Sequence, residues 1–263
     1  MAKPVVFVHG LWLHGSSWSP WMDKFAAAGF EPVAPGWPGE PATVEEARRD
    51  PGAVAGHGID AVVDHFAQVI GGLAELPVVV GHSFGGLIAQ RLLGQDLASA
   101  AVAIDPAPIK GVLALPPSAL RVASIALRAP ANRNMAVSLT AEQFRYGFGN
   151  AVSEQESADL YQQWNVPSPG KPLFEAAFAN FSPRSPARVN TRNKTRGPLL
   201  LTAGGKDHTV PPAISMSTRK QYHRSPAITD FVEFGDRGHS LTVDHGWAEV
   251  ADYALDWLAK RAG

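Results

Sequence analysis

The ten residues Val78-Val79-Val80-Gly81-His82-Ser83-Phe84-Gly85-Gly86-Leu87 constrain this chain more than any other segment. The valines read as a buried strand, and residues 87–93 read as the body of a helix. Almost nothing joins the two. A turn that tight excludes side chains at Gly81 and Gly85. It also strains the backbone of Ser83 and exposes its hydroxyl at the helix N-terminus.

The same strand-then-helix rhythm recurs along the chain. Short β-branched or apolar runs at 5–8, 31–34, 78–80, 101–104, 199–202 and 230–234 are bounded by Gly, Pro or polar turns. Continuous runs of this kind suit parallel strands buried on both faces. Helical patterns fall between them at 17–28, 59–76 and 84–93. In the last segment Trp247, Val250, Ala251, Ala254, Leu255 and Leu258 share one helical face. The alternation predicts a doubly wound α/β sheet. One stretch departs from it: residues 106–197 hold helix starts but no strand signal. Pro116-Pro117-Ser118 can open a helix, and Thr140-x-x-Gln143 and Ser153-x-x-Glu156 read as capping boxes. The expected organisation is a core from 1–105 and 198–263, interrupted by a helical insertion at 106–197.

Composition narrows the chemistry. The 263 residues contain no cysteine, so a thiol nucleophile, thiolate metal sites and disulfides are excluded. The net charge of −1 gives no basic footprint for nucleic acid. No H-E-x-x-H or comparable spacing marks a metal site, and no cofactor motif is present. The apolar run 5–8 is too short for a signal segment or a span. The expectation is a cytoplasmic protein acting on a small molecule, without nucleic acid, membrane, metal or cofactor, and compatible with a homodimer.

A serine nucleophile needs a base and an acid, in that spatial order and here in the chain order Ser, acid, His. His239 follows the last strand through Gly235-Asp236-Arg237-Gly238, whereas His245 opens the final helix and reads as a surface residue. Asp207 lies just beyond the strand at 199–202. Asp105, at the end of its own strand, is the rival acid, with a simpler reading as an Asp that satisfies loop N–H groups. Two backbone donors would complete the site: Phe84 N–H after the nucleophile, and Leu11 N–H in the loop His9-Gly10-Leu11-Trp12, where His9 organises the loop. Trp12, Phe144, Phe148, Trp164, Phe174 and Phe178 are the expected apolar walls of a substrate pocket.

Together, Phe7-Val8-His9-Gly10, Gly81-His82-Ser83-Phe84-Gly85-Gly86, Gly204-Gly205-Lys206-Asp207 and Gly238-His239 resemble the α/β-hydrolase superfamily over nearly the whole chain. The resemblance implies a mostly parallel six-stranded sheet flanked by helices, in the compact branch similar to plant esterases and hydroxynitrile lyases. It implies Ser83, Asp207 and His239 as catalytic residues, Leu11 and Phe84 as oxyanion donors, and 106–197 as a cap. Ser83 argues against epoxide hydrolases and haloalkane dehalogenases, which use Asp there. Gly10 and Ser240 argue against the lyases. The expected activity is hydrolysis of a small, largely apolar carboxylic ester. Lactone or small-amide hydrolysis or perhydrolysis are alternatives on the same triad, and a ligand-binding receptor with vestigial hydrolysis is the alternative of another class.

Overall fold

The six apolar runs pair into a single sheet in the computed structural model, which describes residues 2–262. The strands are β1 (Lys3–Val8), β2 (Phe30–Val33), β3 (Val78–His82), β4 (Ala100–Ile104), β7 (Leu199–Gly204) and β8 (Thr229–Phe234). Between β4 and β7 a two-residue pair, β5 (Ala136–Val137) and β6 (Ser168–Pro169), forms a separate antiparallel ribbon. The main sheet runs β2-β1-β3-β4-β7-β8 with every pairing parallel.

Both faces of β1, β3, β4 and β7 are covered, which is why those strands read as apolar runs, whereas the edge strands β2 and β8 stay partly exposed. Val5 and Phe7 of β1 pack with Trp18, Trp21 and Phe25 beneath α1 (Ser19–Ala27), together with residues of the last helix. Val6 and Val8 point the other way, into a second core. That second core holds α3 (Ile59–Gly71), which follows the short α2 (Val44–Arg49), and α4 (Phe84–Gly94). It also takes Ile214 of α9 (Pro212–Gln221), while α10 (Trp247–Arg261) closes the chain on the first face. Four helices occupy the interruption between β4 and β7: α5 (Pro117–Leu127), α6 (Ala141–Gly147), α7 (Glu154–Trp164) and α8 (Lys171–Ala177). Thr140 and Gln143 make both bonds of a capping box at α6. At α7 only the Ser153 hydroxyl caps, accepting the Glu156 N–H.

From β1 the chain crosses to β2 on one side and later to β3 on the other, so the sheet changes winding direction between β1 and β3. Ligands of open α/β sheets bind beyond the strands' carboxyl ends at such a point. The segments that follow β1, β3, β4, β7 and β8 carry His9, Ser83, Asp105, Asp207 and His239. Among the described residues no helix is long and apolar enough to cross a membrane.

Candidate active site

Ser83 stands between β3 and α4 with φ 56 and ψ −120, a backbone state that side chains rarely adopt. The flanking glycines make it accessible. A Cβ on Gly81 would lie 2.1 Å from Gly85 O, and one on Gly85 would lie 2.0 Å from Val8 O. Any other residue at either position would force the turn open. Three of the four non-glycine residues with positive φ among the described residues, Trp12, Ser83 and Asp105, follow adjacent strands of the sheet. Such strain persists where the surroundings hold it, and its clustering marks a functional site.

His239 is fully buried, and its Nδ1 donates to Asp207 Oδ2 at 2.6 Å. Asp207 is anchored in turn: its Oδ1 accepts the Thr209 and Val210 N–H groups at 2.6 and 2.8 Å. With Nδ1 committed, Nε2 carries the lone pair, and it has no hydrogen-bond partner among the described residues. Burial pushes the imidazole down to about 4, although Asp105 nearby acts in the opposite sense. Burial pushes Asp207 up to about 6, against the hydrogen bonds from Asp105, Val210 and Thr209. At neutral pH the pair is therefore a neutral base beside an ionised carboxylate. His82 packs its ring 4.5 Å from that of His239, and burial holds it well below the ordinary imidazole range, hence uncharged.

The loop after β1 approaches Ser83 closely. A Cβ on Gly10 would meet Ser83 Cβ at 2.7 Å, so only glycine fits. His9 donates from Nδ1 to Gly10 O at 2.8 Å and contacts Glu40 Oε2 through Nε2 at 2.6 Å. The Nε2 contact is an ion contact rather than a straight hydrogen bond. Because a trans peptide is planar, fixing Gly10 C=O also fixes Leu11 N–H, which points the opposite way. Leu11 N–H takes no acceptor among the described residues. Phe84 N–H, at the first position of α4, has no intrahelical acceptor. Burial alone would lower His9, but the Glu40 charge and its hydrogen bonds raise it above the ordinary range. Burial would raise Glu40, but His9 and the Gly15 N–H lower it to about 2.

Ser83 opens into a cavity of about 350 Å³ lined by the β1 loop, the segment after β4, α5, α8 and the Thr209–Val210 turn. No charged side chain lines it; the polar ones besides Ser83 are Asn180 and Thr209. Trp12 is in the wall as expected. The other five aromatics are not, which corrects the sequence reading. Phe144 and Phe148 stack in the core at 5.0 Å, and Phe148 backs the His239 ring at 4.8 Å. Trp164 packs partly buried against the same core. Phe174 and Phe178 line a shallow groove with Arg133 and Glu175, and Phe178 is 59% exposed. Apolar character alone does not decide whether a side chain meets the core, the cavity or solvent. The walls come instead from α5, where Ala119, Leu120, Val122, Ala123 and Leu127 all reach the cavity.

His245 lies on the surface against Glu156 at 2.9 Å. Asp105 shares the buried cluster with Asp207 and His239, their ligand atoms all within 4.8 Å of one another. That spacing would suit a cation, but Asp207 Oδ1 and Oδ2 and Asp105 Oδ1 and Oδ2 all already take protein donors. Two residues were missed. Glu40 is distant from His9 in sequence and gives no local signal. Ser168 accepts Trp12 N–H at 2.6 Å and so ties the β1 loop to the insertion. That tie continues in backbone bonds, His14 N–H to Trp164 O and Val166 N–H to Trp12 O, both 3.1 Å.

A family model described as the alpha/beta hydrolase family matches residues 5–253. No curated protein matches the sequence. Similar solved structures include a monoacylglycerol lipase from Paleococcus ferrophilus, 21% identical with TM-score 0.68, covering 99% of this chain and 96% of that one. A methylesterase from Arabidopsis is 17% identical with TM-score 0.66, covering 98% and 100%. A pyrethroid hydrolase from Sphingobium faniae is 15% identical with TM-score 0.66, covering 98% of each. At these identities the likeness is one of fold.

Proposed function

This chain belongs to the alpha/beta hydrolase family, and on that premise we propose that it is a serine hydrolase of small, largely apolar carboxylic esters. The observation that carries the reading is the free Nε2 of a buried, neutral His239, oriented by Asp207, in a site whose strained Ser83 faces an uncharged cavity. Charged acyl groups would find no partner there, which favours neutral substrates. The names lipase, methylesterase and pyrethroid hydrolase among the similar structures point the same way.

In this mechanism His239 Nε2 takes the Ser83 hydroxyl proton as Oγ attacks the ester carbonyl. The Leu11 and Phe84 N–H groups receive the oxyanion. The tetrahedral species collapses, Nε2 returns its proton to the leaving alcohol, and the acyl group stays on Ser83. Water then repeats the sequence and releases the acid. Asp207 stabilises the imidazolium each time it forms. Residues 106–197 act as the cap that sets acyl preference, through α5 above all.

The test is labelling with a fluorophosphonate probe, followed by turnover of activated esters of increasing acyl length. The expected outcome is one probe per chain, on Ser83, with none on Ser83→Ala and multiple turnovers by the wild type. A wild-type protein that neither labels nor turns over would remove the serine-hydrolase reading.

A further inference from the structure

Asp105 sits at the end of β4 with φ 43, an unfavourable state for Asp that something must maintain. Its carboxyl is completely buried. Oδ2 accepts the Gly204 N–H at 2.9 Å, and Oδ1 accepts the Thr202 hydroxyl at 3.1 Å. A Cβ on Gly204 would lie 2.9 Å from that same Oδ2, so the glycine is what permits the approach. Beyond these donors the carboxyl faces Asp207: an oxygen of each acid and a ring nitrogen of His239 all lie within 4.8 Å of one another. The titratable groups around them are His239 and, behind it, His82; among the described residues no Lys or Arg forms an ion pair with either acid.

Two carboxylates buried this close, with no Lys or Arg paired to either, do not both stay ionised, so one of them carries a proton. Which one carries it follows from the donors each receives. Asp207 takes three N–H donors, from Thr209, Val210 and His239. Asp105 takes one N–H and one hydroxyl. The better-solvated anion is Asp207, and the proton belongs to Asp105.

We propose that Asp105 is a positioning residue: it keeps its proton at neutral pH and donates it to Asp207, extending the site to Asp105–Asp207–His239–Ser83. This rests on the serine-hydrolase reading above. The bond fixes the Asp207 carboxylate toward His239 Nδ1. It also stabilises the Asp207 anion and so keeps the acid ionised to lower pH than burial alone would allow. Asp105 does not line the cavity, so substrate affinity should not depend on it.

Two variants and a spectrum test the proposal. Asp105→Asn keeps a donor of the same reach, and Asn tolerates positive φ. It should retain kcat within about threefold, well inside the loss that a missing hydrogen bond to an ionised group produces. Its acid limb in the pH–kcat/KM profile should stay near that of the wild type. Asp105→Ala removes the donor and should lower kcat by about 10- to 100-fold. KM should be unchanged and the acid limb should move to higher pH. Independently of activity or folding of the Ala variant, the infrared difference spectrum of wild type against Asp105→Asn should show the carbonyl stretch of a protonated carboxyl at pH 7. Absence of that band overturns the proposal. So does an Asn variant as impaired as the Ala one, because a charged Asp105 would then be what matters. Fluorophosphonate labelling of the wild type separates these failures from failure of the serine-hydrolase reading itself.

Discussion

The molecule contains two buried histidine–carboxylate pairs of the same length. His9–Glu40 and His239–Asp207 both meet at 2.6 Å, and no side chain of either pair is more than about one-twentieth exposed. Their shifts are opposite. His9 is raised above the ordinary imidazole range and Glu40 falls to about 2, so in the first pair each partner favours the charged form of the other. His239 falls to about 4 and Asp207 rises to about 6, so the second is a neutral base on an ionised acid. Distance between ring and carboxylate does not set the difference. The other ring nitrogen and the rest of the neighbourhood do. His9 holds its Nδ1 on Gly10 O and its Nε2 beside the Glu40 carboxylate, whose charge favours the imidazolium. His239 leaves Nε2 without a partner, beside a neutral His82. One pair holds a loop still, and in the proposed mechanism the other moves a proton.

The largest test of this contrast removes one ring at a time. Ser83→Ala and His239→Ala should each lower kcat by about 10⁴- to 10⁶-fold. His9→Ala should lower it by about 10²- to 10³-fold, the loss expected when an oxyanion donor is no longer held in place. Fluorophosphonate labelling should persist in the His9 variant. Equal losses in His9→Ala and His239→Ala would erase the distinction.

The acids should separate activity from stability. Asp207→Asn should lower kcat by about 10⁴-fold through loss of the imidazole tautomer. Its unfolding free energy at pH 7 should stay within about 1 kcal/mol of wild type, because burial already disfavours that charge. Glu40→Gln should do the reverse. It takes the carboxylate from a buried imidazole and from the Gly15 N–H and should cost about 1–3 kcal/mol in urea unfolding, with a smaller loss of turnover.

The two pairs should also respond differently to pH. Turnover needs Asp207 ionised and His239 neutral, so kcat/KM should rise with pH through a midpoint near 6, set by the higher of the two. The contribution of the first pair to stability has two edges. Glu40 is lowered, so its share is present above 4.5 and is lost as pH falls toward about 2. His9 is raised, so its share is complete below 6.5 and is lost as pH climbs through its folded value. The stability gap between wild type and Glu40→Gln should therefore be widest between 4.5 and 6.5, read by thermal denaturation across pH.

The smallest effect concerns the walls. Val122→Ala lengthens the cavity and should shift acyl preference toward longer chains, each methylene being worth roughly 1–3 kcal/mol. Phe178→Ala, on the outer groove, should leave the preference unchanged. A reversed result on a chain-length panel would return Phe178 to the substrate site.

What could be read from the sequence divides along the same line. The strands and the Ser83 turn were legible because local sterics dictate them: valine runs have few other uses, and only glycine fits at Gly81 and Gly85. Asp207 and His239 were legible from their places after strands. Glu40 was not, since nothing near Gly39 or Pro41 announces a partner for His9. Asp105 does accept a backbone N–H, but from Gly204 at the end of β7 rather than from a loop, and its approach to Asp207 depends on β4 and β7 being neighbours across a long insertion. The aromatics misled for a related reason. Phe144 and Phe178 were both expected in the pocket wall, and tertiary packing sent one to the core and left the other exposed.

The backbone bonds between residues 12–14 and 164–166 set how this molecule can breathe. They join the insertion to the very loop that presents Leu11 N–H, so α7 and the start of β6 cannot lift without dragging that amide out of register. On the proposed reading, entry and exit of ligand rely on the half of the insertion free of this seam, the α5 side. In native-state amide exchange, His14 and Val166 should open only with the global unfolding of the sheet, while the amides of α5 exchange through local fluctuations.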